Sequence, residues 1–313
     1  MHHLAQAIAA MPLCHDAVRL FHGRGGRFPS EEHWTLDAFP PVLVLTSFKP
    51  VAEDDLAAVG ALLQARWSAL AAPGPLTWAY QCRQQGGPSE IRLMAGVVPD
   101  PHIVTEGPAR YRVHVLRGQN HGLFLDMAEG RRWVRELTTD LRAREGEGAR
   151  VLNLFAYTCA FSVAALQGGA AQVVNVDMAR GALATGQQNH QLNGLTSGAT
   201  FWPHDIFNTW GKIGRAGPYD LVIADPPSYQ KGSFVATKDY PRLLRRLPDL
   251  LAPGGHALLC LNAPELSMAF LHGLVQEHAP GLQFIERVPG PPVFADVDED
   301  RGLKVLAFQR RDS

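Results

Sequence analysis

Leu221-Val222-Ile223-Ala224-Asp225-Pro226-Pro227-Ser228 decides the fold class of this chain. Four apolar residues in a row, ended by an acid and two prolines, predict a strand buried on both faces whose carboxyl end opens into a stiff loop. Pro226 drives Asp225 into an extended conformation, and neither proline carries a backbone N–H. The strand end is left with carbonyl oxygens and one carboxylate, a rim that accepts hydrogen bonds from the amino or imino edge of a flat base. An ordinary Asp-Pro turn has the same sequence, so the reading depends on the neighbouring segments.

Those segments alternate strand and helix from about residue 107 onward, the pattern of a doubly wound α/β sheet. Strands are predicted at 151–155, 172–176, 199–202, 219–224 and 256–261, with closing strands at 284–288 and 303–308. Helices are predicted from 161 to the Gly168-Gly169 stop, from 180 to 192 before Asn193-Gly194, and from 241 to 251 with a kink at Pro248. Pro253-Gly254-Gly255 reads as a turn. Residues 110–115 and 122–125 read as two strands joined through Gly118-Gln119-Asn120, with a helix from Asp126. Residues 1–107 read as a small N-terminal α+β accessory domain (strands 42–46 and 91–97, helix 53–70), and 108–313 as the doubly wound domain.

Composition narrows the class. The chain has 313 residues, 46% hydrophobic and 19% charged, enough for one large globular domain and a smaller one. No apolar stretch reaches the roughly 20 residues of a membrane helix, and the N-terminus lacks the basic and apolar regions of a secretory leader. Cys14, Cys82, Cys159 and Cys260 form no Cys-x-x-Cys pair and fit reduced thiols in a cytoplasmic protein. The histidines show no metal-ligand spacing, so no metal is expected. A net charge of −1 argues against capture of nucleic acid by overall charge, and an RNA partner would need local patches. Arg242, Arg245 and Arg246 share one helical face, as do Arg131, Arg132 and Arg135; each set reads as a solvated face or a phosphate contact. Asp296, Asp298 and Asp300 read as an acidic turn, since Arg301 stands where a calcium loop requires glycine.

In open α/β sheets ligands lie beyond the carboxyl ends of the strands. Here those ends are Asn153 to Ala160, Asp177, Asp205 and Asp225. Asp177 lies about 20 residues past the first loop, where an acid binds ribose hydroxyls in this fold. That suits a dinucleotide and S-adenosyl-L-methionine equally. The first loop chooses between them. Phe155-Ala156-Tyr157-Thr158-Cys159-Ala160-Phe161 lacks the Gly-x-Gly-x-x-Gly that close approach to a diphosphate needs. Its side chains can flank a carboxylate and a sulfonium, and the N–H groups of the helix it opens suit a carboxylate. Asp205 adds an acceptor for an adenine amino group. The expected cofactor is S-adenosyl-L-methionine.

These residues resemble the class I S-adenosylmethionine-dependent methyltransferases that modify bases of large-subunit (23S) ribosomal RNA. The resemblance is carried by Asn153-Leu154-Phe155-Ala156-Tyr157-Thr158, Val176-Asp177-Met178-Ala179, Asn189-His190-Gln191-Leu192-Asn193-Gly194, Asp225-Pro226-Pro227-Ser228-Tyr229 and Gly122-Leu123-Phe124-Leu125-Asp126. It covers about 18–310, including Arg19-Leu20-Phe21-His22-Gly23, which is similar to the start of that family's central domain. It implies a Rossmann-like methyltransferase sheet, with RNA as substrate. No counterpart of the family's N-terminal RNA-binding domain is expected in this sequence, which leaves the docking of RNA open; the oligomeric state is open as well.

By resemblance, Asn153, Phe155, Tyr157, Thr158, Asp177 and Met178 hold the methionine and ribose parts of the cofactor. Asp205 and Ile206 hold the adenine, and Phe124 and Asp126 close the pocket. Asp225 lies between cofactor and target base. Asp225, the Pro226 carbonyl and Asn262 are the expected catalytic groups, with Pro227, Ser228 and Tyr229 contacting the substrate and Tyr229 stacking on the base. Relatives often carry glycines where this chain has Cys159 and Ala160. Relatives that methylate cytosine C5 resemble one another in a cysteine after the fifth strand, because C5 needs a thiolate added at C6. Asn262 stands at the matching position, with Cys260 inside the strand. That resembles enzymes acting on a guanine ring nitrogen, so a ring nitrogen is favoured over cytosine C5. Two rival readings are a methyltransferase of a small molecule or protein, and a non-catalytic module that keeps the cofactor pocket and binds RNA or a partner.

Overall fold

The computed structural model describes residues 1–84, 89–227, 229–230 and 234–311. The chain divides into two units, Met1–Leu125 with Pro292–Asp298, and Asp126–Pro291 with Glu299–Ser313. Residue 107, the boundary expected from the sequence, lies at the turn of a hairpin, where Gly107 takes φ +54° and five residue pairs close the ladder above it.

The first unit runs α1 (His2–Ala10), β1 (Val18–His22), β2 (Trp34–Phe39), β3 (Val42–Ser47), α2 (Glu53–Ala69), β4 (Thr77–Arg83), β5 (Ser89–Ala95), β6 (His102–Glu106) and β7 (Ala109–Val113). Strands β1 to β5 form one sheet in chain order, antiparallel except at β3–β4, whose parallel run is bridged by α2. Leu56, Val59, Leu63 and Trp67 recur at helical spacing along α2 and join a core with Trp34, Leu36, Leu45 and Trp78 of the sheet. β6 and β7 pair as the hairpin. The strand expected at 122–125 does not form: Gly122 takes φ +98°, outside any strand conformation, and the stretch is tied back by the His114 N–H donating to the His121 carbonyl at 3.0 Å.

The second unit runs α3 (Ala128–Glu145), β8 (Arg150–Leu154), α4 (Ala160–Gln167), β9 (Gln172–Val176), α5 (Arg180–Leu192), β10 (Ala199–Trp202), α6 (Trp210–Ala216), β11 (Tyr219–Ala224), β12 (Tyr229–Gln230), β13 (Phe234–Val235), α7 (Ala236–Leu244), α8 (Leu247–Leu250), β14 (Leu251–Leu261), α9 (Met268–His278), β15 (Leu282–Arg287) and β16 (Lys304–Arg310). Its seven-stranded sheet has the order β10-β9-β8-β11-β14-β16-β15, parallel from β10 to β14, with β16 antiparallel to both its neighbours. Alternate residues feed two cores. Leu152, Val222 and Leu259 join one, while Val151, Leu221 and Leu258 join the other, which is why these strands read as unbroken apolar runs. The order reverses between β8 and β11, which puts the ligand crevice of a doubly wound sheet at their carboxyl ends.

Two local expectations change. The helix expected over 241–251 is split into α7 and α8, because Pro248 has no N–H to donate and its ring clashes with the carbonyl four residues back, at Leu244. The Pro253-Gly254-Gly255 turn lies inside β14 as an irregularity of pairing, with Leu251 opposite Tyr219 and His256 opposite Leu221. Among the described residues no helix is long and apolar enough to cross a membrane.

Candidate active site

The carboxyl ends of β8, β9, β10 and β11 lie side by side, since Leu154 pairs with Val176 and with Ala224, and Val176 pairs with Trp202. Phe155, Asp177, Asp205 and Asp225 therefore stand within a few residues of one another's strand ends. After β8 the chain turns through Phe155, Tyr157 and Cys159, all left-handed, at φ +58°, +46° and +60°. Non-glycine residues held there store about 1 kcal/mol or more each, so neighbours must hold the turn. The Ala156 N–H donates to the Val176 carbonyl at 3.1 Å, and the Cys159 N–H to the Ala156 carbonyl at 2.7 Å. The Tyr157 N–H donates to Asp177 Oδ2 at 2.8 Å, and Asn189 Nδ2 donates to the Thr158 carbonyl at 3.0 Å. Cys159 is fully buried against α5, where Gly186 makes the room: a Cβ there would stand 2.5 Å from Cys159 Sγ.

A buried polar chain supports the turn from below. Asn153, only 1% exposed, donates from Nδ2 to Asn175 Oδ1 at 2.9 Å, and Asn175 donates to Ser162 Oγ at 3.0 Å. Ser162 Oγ lies 2.9 Å from His190 Nε2, while His190 Nδ1 meets the Gly186 carbonyl at 2.7 Å. A carbonyl can only accept, so Nδ1 carries the proton and Nε2 accepts from the Ser162 hydroxyl. Burial pushes the His190 pKa down, keeping the ring neutral as this arrangement requires. Asn153 and Thr158 are both buried, 1% and 2% exposed. Asn153 is committed to Asn175, because residue 153 is an inward position of β8.

Asp177 is half-buried, and its Oδ1 accepts the Ala179 N–H at 2.7 Å. With one N–H on each oxygen, a lone pair on each is left for paired ribose hydroxyls. Met178 beside it is exposed. Asp205 caps a short 3-10 turn, accepting the Phe207 N–H at 2.8 Å and Asn208 Nδ2 at 2.7 Å, and retains acceptor capacity for an amino group. Ile206 is a core residue, 4% exposed, and anchors that turn. Phe155 is half-buried with its ring 5.3 Å from Phe234. Tyr157 is also half-buried. Donor set and exposure fit S-adenosylmethionine: carboxylates at three strand ends, with a helix opening behind the first loop.

At the proline rim, Asp225 is half-buried, Pro226 buried and Pro227 half-buried. Burial and then the Asp126 carboxylate push the Asp225 pKa up to about 7, against the opposing pull of Arg131. Arg131, expected on a solvated face or at a phosphate contact, is buried, and its charge acts on Asp225 of the rim. Helical spacing shows which residues share a face and not which way it points. Ser228 lies outside the described residues, and Tyr229 is placed by its backbone pairing with Val235. Phe124 is exposed and belongs to the first unit. Asn262 is exposed directly after β14. The next carbonyl, of Ala263, accepts from the fully buried Lys304 Nζ at 2.9 Å, and Lys304 also donates to the Asp300 carbonyl at 2.5 Å. Asp300 Oδ1 takes the Met268 N–H at 2.8 Å, so this acid ties loops together. Cys260 is fully buried, its thiol pKa held well above the ordinary value by burial, Asp225 and Asp126. No cluster able to hold a metal occurs among the described residues.

The chain is similar to Ribosomal RNA large subunit methyltransferase I of Erwinia tasmaniensis, 30% identical over 93% of this chain and 74% of that one. The match to the same-named protein of Aeromonas hydrophila is 34% identical over 55% of this chain but covers 43% of that relative, so the chain spans less than half the length of some relatives it matches. Its fold is like that of an S-adenosylmethionine-dependent methyltransferase from Streptococcus mutans, with a TM-score of 0.80 at 23% identity over 98% of this chain and 81% of that one. A methyltransferase solved as its complex with SAH gives a TM-score of 0.79, again at 23% identity, over 98% of this chain and 81% of that one. The family model for S-adenosylmethionine-dependent methyltransferases matches residues 18–309, nearly the whole chain. With that match, and the strand-end acids already in place, this chain belongs to the S-adenosylmethionine-dependent methyltransferases.

Proposed function

We propose that the protein transfers the methyl group of S-adenosylmethionine to a ring nitrogen of a ribosomal RNA base. The observation that carries this reading is the rim itself: Asp225, with a pKa of about 7, and exposed Asn262 follow the paired strands β11 and β14, and the thiol of Cys260 is sealed inside β14. Cytosine C5 needs a thiolate within reach. A ring nitrogen attacks with its own lone pair and needs only alignment and an acceptor for the base edge, which Asp225 and the Pro226 carbonyl supply. Positioning of this kind contributes several kcal/mol to a reaction whose methyl donor is already activated. The relatives' names support ribosomal RNA as the substrate, and the dispersed thiols fit a cytoplasmic setting.

The expected contact set is Asp177 on the ribose, Asp205 on the adenine, Phe155 and Tyr157 along the methionine, and Pro227, Ser228 and Tyr229 on the base. The test is transfer of a tritiated methyl group to ribosomal RNA from cells lacking the gene, followed by nucleoside mass spectrometry. A labelled ring-nitrogen product that vanishes with Asp225→Ala, while the variant still binds the cofactor, is the expected result. Labelled 5-methylcytidine would overturn the choice of atom. Label in protein or small molecules, with none in RNA, would overturn the substrate.

A further inference from the structure

We propose that Arg24 and Arg83, whose guanidinium groups lie over the Phe48 ring in the first unit, form with Lys49, which directly follows Phe48 in the chain, a docking site for the phosphodiester backbone of single-stranded RNA. The proposal rests on the RNA-substrate reading and adds to it a place where the strand is held. Chain geometry builds the cluster. β3 and β4 run parallel with Ser47 opposite Cys82, so Phe48 and Arg83 come side by side at the same strand ends. The Phe48 N–H donates to the His33 carbonyl at 2.9 Å, which fixes the residue at the end of β2 as well. Arg24 lies in the 3-10 turn that follows β1. Its guanidinium carbon stands 4.1 Å from the centre of the Phe48 ring, and that of Arg83 stands 5.7 Å from it.

The charges do not balance. Asp37 is the acid that faces this group, and Arg19 takes it with both oxygens, at 2.7 and 2.9 Å. Among the described residues neither Arg24 nor Arg83 has an acid within 4.0 Å. The crowding is felt: burial and Arg19 lower the Arg24 pKa, and burial, Arg24 and Arg19 lower that of Arg83. Cations that only capped an aromatic would sit in solvent or beside carboxylates. Here like charges are packed together, and an anion among them relieves the repulsion. A guanidinium lying over an aromatic ring keeps its N–H edge free for phosphate oxygens, and such mixed basic and aromatic surfaces track single strands without reading sequence. A target base must be unpaired to be methylated, so a single-stranded backbone is the fitting occupant.

The test is fluorescence anisotropy of a labelled 20-nucleotide single-stranded RNA of mixed sequence with the full chain, titrated between 50 and 200 mM salt. Arg24→Gln with Arg83→Gln is expected to weaken binding about tenfold and to flatten the salt slope by about 1.4, two phosphate contacts at about 0.7 each. Calorimetric affinity for S-adenosylmethionine should be unchanged, which certifies the fold. Wild-type binding of the RNA with an unaltered slope and affinity in the double variant would overturn this site while leaving RNA as substrate. No binding of the RNA by wild type would overturn both. Poly-glutamate bound as tightly as the RNA, through the same arginines, would assign the surface to an acidic protein and overturn the proposal.

Discussion

Replacing Asp225 with asparagine should make the protein more stable and inactive at once, and the stability gain should depend on pH in a fixed direction. The carboxyl ionises near 3.8 in an unfolded chain and near 7 in the folded protein, because burial and the Asp126 charge disfavour its anion. Between those two values the folded state holds a proton that the unfolded state has released. Stability therefore falls as pH rises through that window, by roughly 1.4 kcal/mol per pH unit, and levels off above about 7. Three units give about 4 kcal/mol as an upper limit. An asparagine side chain does not ionise, so Asp225→Asn gains nothing below about pH 4 and the full amount above about pH 7.5.

Urea unfolding at pH 5, 6, 7 and 8, monitored by tryptophan fluorescence, measures the difference directly. Wild type and variant should converge at acid pH and diverge steadily towards pH 8, where the midpoint of the variant is higher. Methyl transfer by the wild type should rise with pH through about 7 as the acceptor ionises, while the variant, without that acceptor, should transfer nothing at any of these pH values. Equal midpoints at every pH, or a variant less stable at pH 8 than at pH 5 relative to wild type, would refute the electrostatic account of the rim. Asp126→Asn provides the internal check: it removes the second cause of the shift, so the wild-type limb should move to lower pH.

Asn189→Ala deletes the donor to the Thr158 carbonyl and should weaken S-adenosylmethionine binding about tenfold by calorimetry, a loss of order 1 kcal/mol for one buried hydrogen bond with its carbonyl left unpaired. Gly186→Ala drives a methyl group to 2.5 Å from Cys159 Sγ and should cost about 1–3 kcal/mol in thermal unfolding. Adding Cys159→Gly removes that sulfur and suits the left-handed backbone, so the pair should recover part of the loss; strictly additive effects would contradict the packing argument. Lys304→Met leaves the Ala263 and Asp300 carbonyls without their buried donor, and should lower stability by about 2 kcal/mol and methyl transfer along with it, since Asn262 precedes the loosened residue.

Much of this architecture could be read from residue order alone. The strands at 172–176, 199–202 and 219–224 and the helix at 180–192 have the bounds their apolar runs and stop signals indicate. That holds because a strand buried on both faces has few residue types to choose from, and Asn193-Gly194 can only end a helix. Strand-end acids follow from the same logic: a charge directly after such a run lies where the sheet stops. Polar residues inside the runs were less legible. Asn153 and Asn175 stand inside strands 151–155 and 172–176, where sequence order does not say that they meet, yet Asn153 donates to Asn175 and Asn175 to Ser162 of α4. A pairwise hydrogen bond of this kind has no signature in either strand taken singly. Lys304 is similar, an ammonium at an inward position of β16 whose carbonyl partners come from segments four and 41 residues away.

The turn after β8 joins these two kinds of residue into one device. A glycine-rich loop gains close ligand approach from backbone freedom, at the cost of ordering entropy when it closes. This chain instead places three side-chain-bearing residues in the left-handed region and offsets their strain with Asp177, Asn189 and the closely packed Gly186. The resulting turn is set before any ligand arrives, so binding pays little to order it. It also makes Asp177 serve twice, since the carboxylate that suits ribose hydroxyls holds the Tyr157 N–H of the turn. Asp177→Asn keeps one acceptor oxygen and should retain the fold, whereas Asp177→Ala releases the strained turn as well as the sugar. Cofactor affinity should therefore fall much further in the alanine variant, and proteolysis within 155–160 should accelerate in that variant alone.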